Sequence, residues 1–254
     1  MSTPNGFILY RGPSMIDGSP IVAIATGLQG KASRNGKTGE LVQTWIIRDD
    51  MSPTEAVAIG ADSAICGACP HMGQIVDGRN VNRSCYVTVF QAPLSVYKAY
   101  KRGIYAEPIN EDVAAEMLRG KRVRLGAYGD PSAVPFAVWD SILRFTEART
   151  GYTHQWRNRP VALARYVMAS CDNDADYVDA KAMGYRTFRV RTVSEPIHKR
   201  EIACPASKEM GVKTNCAACV ACGGNSAKAR VDVTIIAHGA ASKVNAFNAA
   251  RTTV

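Results

Sequence analysis

The sequence predicts an α/β fold. It is a partial (β/α) barrel with a β-rich N-terminal segment and a Cys-rich C-terminal extension. Three observations predict it. Between residues 110 and 191 strand and helix patterns alternate in units of about 20 to 35 residues, the rhythm of parallel strands joined by right-handed crossovers. The first 50 residues hold only short strand-like runs. Seven of the eight cysteines fall in two tight groups, 66–85 and 204–222. A chain of 254 residues can bury one large core. It reads as a single domain, with a β-rich segment 1–60, an α/β core 61–200 and a cluster-binding extension 201–254.

Phe7-Ile8-Leu9-Tyr10 reads as a strand, Asp17-Gly18 as a turn and Ile21 to Thr26 as a second strand. A polar loop, Gly30 to Gly39, leads to a third strand, Leu41 to Ile47. Gly36-Lys37-Thr38 in that loop lacks the spacing of a phosphate loop and precedes a strand, so a long hairpin loop is preferred. Ser52-Pro53-Thr54-Glu55 is a capping box with proline at the first helical position. A helix follows from Pro93 to Arg102, stopped by Gly103, and another is capped by Asn110 with acids in its first turn. Strand 122–125 precedes a helix predicted from Val134 to about Arg149, whose Val134, Val138, Ile142 and Phe145 share a face. A strand ending near His154, a short helical stretch at 161–165, strand 166–170, helix 174–183 and strand 186–190 complete the core. Residues 200–230 read as loop, 231–236 as one more strand, and the last dozen residues as poorly ordered.

Formal net charge is +9, from 31 Lys and Arg against 22 Asp and Glu. That balance favours acidic partners, nucleic acid among them. Basic residues group at Lys98–Arg102, Lys121–Arg124 and Arg186–Arg191. No apolar run is long enough to span a membrane, and the N-terminus lacks the features of a signal peptide. With tight C-x2-C spacings, this points to reduced, metal-bound thiols in a cytoplasm.

Cys216, Cys219 and Cys222 stand at C-x2-C-x2-C spacing, downstream of Cys204-Pro205. Three thiolates in one run plus a remote Cys-Pro is the ligand pattern of a [4Fe–4S] cluster. Tetrahedral zinc and ordinary buried thiols are the alternatives. Cys66, Cys69 and Cys85 form a second group of only three. Three protein ligands leave an open position, as in catalytic metal sites, and they suit [3Fe–4S] as well as [4Fe–4S]. His71 is a possible fourth ligand that would close the site. Cys171 reads as a small core residue.

Polar groups end several successive strands. Gly129-Asp130-Pro131 presents a carboxylate after glycines, either to meet a ligand or to cap the next helix. His154, with Gln155 and Arg157, follows another strand, as an acid–base group, a ligand or a structural histidine. Ser170 to Asn173, including Asp172, end the next, and Arg189 and Arg191 the one after. Together they suggest a lined cavity, since loops at the carboxyl ends of parallel strands converge.

These features resemble the radical SAM fold, a TIM-barrel-like architecture. There, three cysteines near the first strand hold a cluster that leaves one iron open for S-adenosylmethionine. Gly129-Asp130-Pro131 resembles the segment that meets the cofactor's amino group. Cys85-Tyr86 resembles its Cys-aromatic pair, and the late cysteines resemble an auxiliary cluster. The C-x2-C-x15-C spacing departs from the family's C-x3-C-x2-C. Over residues 40 to 240 the chain also resembles an uncharacterised phage-encoded protein family, through Gly129-Asp130-Pro131, Thr153-His154-Gln155-Trp156 and the late cysteines. The resemblance implies iron–sulfur clusters, S-adenosylmethionine near Gly129, Asp130, His154 and Asp172, and a host cytoplasm. A metal-stabilised nucleic-acid-binding protein is the competing expectation.

Overall fold

Antiparallel strands open the chain, the first two joined by a short turn and the next two by a long loop, and parallel strands follow once helices supply the crossovers. The computed structural model describes residues 4–30, 36–228 and 230–251. Strands β1 (Gly6–Pro13), β2 (Pro20–Thr26) and β3 (Val42–Arg48) pair antiparallel in sequence order. Strands β6 (Arg122–Tyr128), β7 (Ala148–Thr153), β8 (Met168–Cys171) and β9 (Thr187–Arg191) then add in parallel beside β3. Last come β11 (Asp232–Ile236) and, outside it, β10 (Glu201–Ala203). The nine-stranded sheet stays open, with β1 and β10 at its edges, so no barrel closes. A separate hairpin of β4 (Gln74–Val76) and β5 (Arg79–Val81) turns at Asp77-Gly78, both at positive φ (48° and 71°), as a two-residue hairpin turn requires.

The helices α1 (Pro53–Ile59) and α2 (Ser63–Cys66) lie between β3 and the hairpin. The helices α3 (Ala92–Lys101) and α4 (Glu111–Met117) precede β6, α5 (Phe136–Ile142) follows it, and α6 (Asp174–Ala182) joins β8 to β9. α1 has the capping box read from its sequence: Glu55 N–H donates to Ser52 Oγ, and Ser52 N–H to the Glu55 carboxylate at 2.8 Å. The main core joins the strands of the N-terminal half to Leu118, Trp139 and Ile142. A smaller cluster packs Ala169 and the fully buried Cys171 of β8 against Ala180 of α6 and Trp156. Met168 and Val233 are covered by Ala221 and Cys222 of the cysteine-rich extension.

Three expectations are corrected. α5 ends at Ile142, and residues 148–149 already belong to β7, because Arg122–Leu125 of β6 offers them a parallel partner. Residues 201–203 are a strand rather than loop. The tail forms α8 (Ala241–Arg251), with the short helix α7 (Cys216–Cys219) ahead of it. α8 docks through Phe247 stacked on His71, Lys243 donating to the Arg83 carbonyl at 2.5 Å, and Arg251 paired with Glu195. The strand after Gly36-Lys37-Thr38 agrees with the hairpin-loop reading; residues 31–35 of that loop lie outside the described residues.

Candidate metal centres

The early cysteines sit at the carboxyl ends of β6, β7 and β8. Cys66 closes α2, and Gly67 then turns the chain at φ 61°, ψ −139°. Gln155, 4 % exposed, clamps that turn: its Oε1 accepts Ala68 N–H at 3.2 Å and its Nε2 donates to the Cys66 carbonyl at 2.8 Å. A Cβ on Gly67 would stand 2.3 Å from the Gln155 amide, so both the φ and the contact demand glycine. Cys85 returns by donating its N–H to the His71 carbonyl at 3.0 Å. Burial pushes the Cys66 thiol well up, and Cys69, Asp62 and Cys85 add to it. Burial also raises Cys85, with Arg83 opposing. Arg83 is itself fixed by the buried Asp62 at 2.8 Å. The three thiols thus share one desolvated space with a cation at its border.

Three strand-end side chains meet beside them. Cys69 Sγ lies 3.6 Å from His154 Nδ1. His71 Nε2 is 3.1 Å and His154 Nε2 3.6 Å from Asp172 Oδ2. Burial would lower the His154 pKa, but the Cys69 thiolate and Asp172 outweigh it and hold it well above its usual value. Burial would raise Asp172, but the neighbouring His154 and the hydrogen-bonded His71 hold its carboxyl well below the usual range.

Asp130 does something else. Its Oδ1 accepts Ser132 N–H and its Oδ2 accepts His154 N–H, both at 2.9 Å. With both oxygens engaged by backbone, Asp130 caps the turn at 131–133 and fixes the His154 loop, which is the capping alternative. Gly129 (φ 79°) permits close approach of the strands, since a Cβ there would stand 2.6 Å from the Ile46 carbonyl oxygen. Each oxygen holds one backbone N–H and keeps a second lone pair, so the capping role does not exclude the contact to a cofactor amino group that the resemblance implies.

The late cysteines gather on the opposite side of the strand layer from α6. Cys204 follows β10 and donates its N–H to the Thr234 carbonyl at 2.7 Å. α7 is capped by Asn215 and docks on the early loop, with Cys216 N–H donating to the Lys37 carbonyl at 2.8 Å. Gly151 of β7 donates to the Cys222 carbonyl at 3.0 Å. Burial raises Cys222 to about 12, and Cys204, Cys216 and Cys219 each contribute. Burial likewise raises Cys216, opposed by Arg124, with Cys204 and Cys219 adding to the rise. The four thiols occupy one electrostatic neighbourhood, edged by Arg124 and by Lys37.

Spacing separates two metal types. Four thiolates on one zinc ion at about 2.3 Å stand roughly 3.8 Å apart. Among the described residues, the one set of three or more ligand atoms within 4.8 Å of one another is His71, His154 and Asp172, with no cysteine in it. Among the described residues, no three thiols of either set meet that spacing.

The basic groupings are largely occupied. Arg186 donates to the Gly224 and Val231 carbonyls, Arg189 pairs with Glu201 at 2.6 Å and Arg191 pairs with Glu209. Arg122 binds Glu147 and the Ala217 carbonyl. The arginines at 186, 189 and 191 are buried internal ties, whereas Arg122 pairs with Glu147 at the surface. Sequence reading paid no attention to Ser84, which shares a 2.7 Å hydrogen bond with His71 Nδ1, or to Phe247; only the fold brings them in. No helix among the described residues is long and apolar enough to cross a membrane. No family model, curated protein or solved structure matches the chain.

Proposed function

We propose that the chain is an iron–sulfur protein with two centres: a saturated one at Cys204, Cys216, Cys219 and Cys222, and a reactive one at Cys66, Cys69 and Cys85. The observation that supports this reading is that each thiol set shares one neighbourhood, with Cys69 and Cys85 acting on Cys66, and Cys204, Cys216 and Cys219 acting on Cys222. Bound there, a cluster supplies one-electron redox chemistry. The chain's own residues bind and orient it. Gln155 holds the Cys66–Cys69 turn, and Arg83 offsets thiolate charge. His154 offers a hydrogen bond toward Cys69, of the kind that tunes a metal-bound sulfur. Three thiolates leave one ligand position to another molecule, next to the polar strand ends. S-adenosylmethionine remains a candidate for that position on the strength of the three-thiol pattern. The nucleic-acid reading keeps the net charge of +9 as its support.

Anaerobic purification followed by iron, sulfide and zinc analysis tests the proposal. Iron with matching acid-labile sulfide, partly lost in Cys222→Ser and partly in Cys66→Ser, is expected. Stoichiometric zinc without sulfide overturns it. Calorimetry with S-adenosylmethionine on the reduced, fully loaded protein decides whether that molecule is the ligand.

A further inference from the structure

We propose that His71, His154 and Asp172 form a mononuclear site for a divalent first-row transition ion, Zn2+ or Fe2+, adjoining the early thiols but distinct from them. The inference goes beyond the cluster function and does not depend on it. Ligand atoms bound at about 2.0–2.2 Å to one ion stand roughly 3 to 3.6 Å apart. The Asp172 oxygen lies 3.1 Å from His71 Nε2 and 3.6 Å from His154 Nε2. All three ligand atoms fall within 4.8 Å of one another. Two histidines and a carboxylate are the donor set of catalytic zinc and of non-haem Fe(II) sites.

A second observation is independent of those distances. Asp172 is 4 % exposed, and its Oδ1 has no hydrogen-bond partner; His154 Nε2 is also buried without one. Buried polar atoms are almost always satisfied, so orphaned acceptors on two would-be ligands mark a missing partner. The surroundings also orient the rings as metal ligands need. His71 Nδ1 is held by Ser84 Oγ at 2.7 Å, and His154 Nδ1 faces Cys69 Sγ at 3.6 Å, which leaves Nε2 of each ring toward the carboxylate. Asp172 N–H donates to Asp176 at 2.9 Å, and His154 N–H to Asp130. Phe247 of α8 stacks on His71 with centroids 5.2 Å apart and shields that side from water. Three protein ligands leave a position for water or a substrate oxygen.

The test is a Co2+ titration of the full chain with its clusters loaded anaerobically, read by equilibrium dialysis and visible d–d bands. The expected result is one equivalent bound. Asp172→Asn and His71→Gln should weaken it about 100-fold or more, and Ser84→Ala about 10- to 100-fold, with brown cluster absorbance unchanged. Ser84→Ala removes one hydroxyl and keeps the test readable should the ligand variants fail to fold. Cys66→Ser should lose cluster absorbance and keep the cobalt. The proposal is overturned if the wild type takes up no saturable equivalent, or if all three triad-side variants bind as tightly. A thiolate-to-cobalt charge-transfer band that disappears with the ion in Cys69→Ser also overturns it.

Discussion

Replacing Gln155 by alanine isolates what holds the early thiols in place. The side chain touches none of the three sulfurs, yet both ends of its amide hold the turn that carries Cys66 and Cys69. Removing it strands the Ala68 N–H and the Cys66 carbonyl in a region where the side chain was 4 % exposed, leaving little water to replace it. Each stranded backbone group costs about 1–3 kcal/mol, so the pair is worth roughly 2–6 kcal/mol. At about 1.4 kcal/mol per factor of ten, the turn becomes about 30- to 20,000-fold less favoured. Gln155→Glu keeps an acceptor for Ala68 and loses the donor to Cys66, and it should show a large part of the effect. The assay is a chelator challenge of anaerobically loaded protein, following cluster absorbance while urea unfolding gives global stability. Early-centre iron should leave faster and the late centre should be unaffected. If Gln155→Ala released iron at the wild-type rate with unchanged stability, the clamp would have no energetic content and the reasoning would fail.

Cys171→Ala should retain all bound iron in metal analysis, since that thiol packs against α6, whereas Cys204→Ser should lose the late cluster alone. Glu201→Gln should cost up to about 3–5 kcal/mol in denaturant unfolding, because it leaves the fully buried Arg189 guanidinium with the half-exposed Asp174 in place of its buried carboxylate partner. Replacing the pair together, Arg189→Met with Glu201→Leu, should cost much less. The Glu195 pKa is lowered from 4.5 to about 2 by Arg251, so the tie to α8 is at full strength above about pH 4.5 and is lost as pH falls toward 2. Amide resonances of α8 should report undocking over that window in wild type, and Arg251→Gln should undock at higher pH.

Sequence alone carried the local devices well. The capping box of α1, the Asn110 cap and the stop at Gly103 are visible because their physics lies within a few residues. The rule that parallel strands gather functional groups at their carboxyl ends also brought His154 and Asp172 together correctly. What failed was non-local. The apolar periodicity of 134–149 continues past Ile142, but Gly120 N–H takes the Phe145 carbonyl and β6 takes the next residues into the sheet. β10 is three residues long and carries a glutamate that reads as exposed until Arg189 is seen against it. α8 has few large apolar side chains, and its contacts are to His71, Arg83 and Glu195, between 56 and 176 positions away. Asp130 looked equally suited to a ligand and to a cap, and its bond to Ser132 N–H shows the cap, which no neighbouring residue announces.

The Gln155 clamp also bears on synthesis. Cys66, Cys69 and Cys85 leave the ribosome before the residue that clamps them, since Gln155 lies 70 positions beyond Cys85. At roughly 5–20 residues per second, that delay is about 4–14 s. Throughout it the three thiols travel on an unfinished sheet, open to oxidants, to stray metal ions and to pairing with one another. On the proposed metal-binding role, a reducing environment, or prompt metal delivery once β7 has docked, is a condition for making this protein correctly as well as for using it.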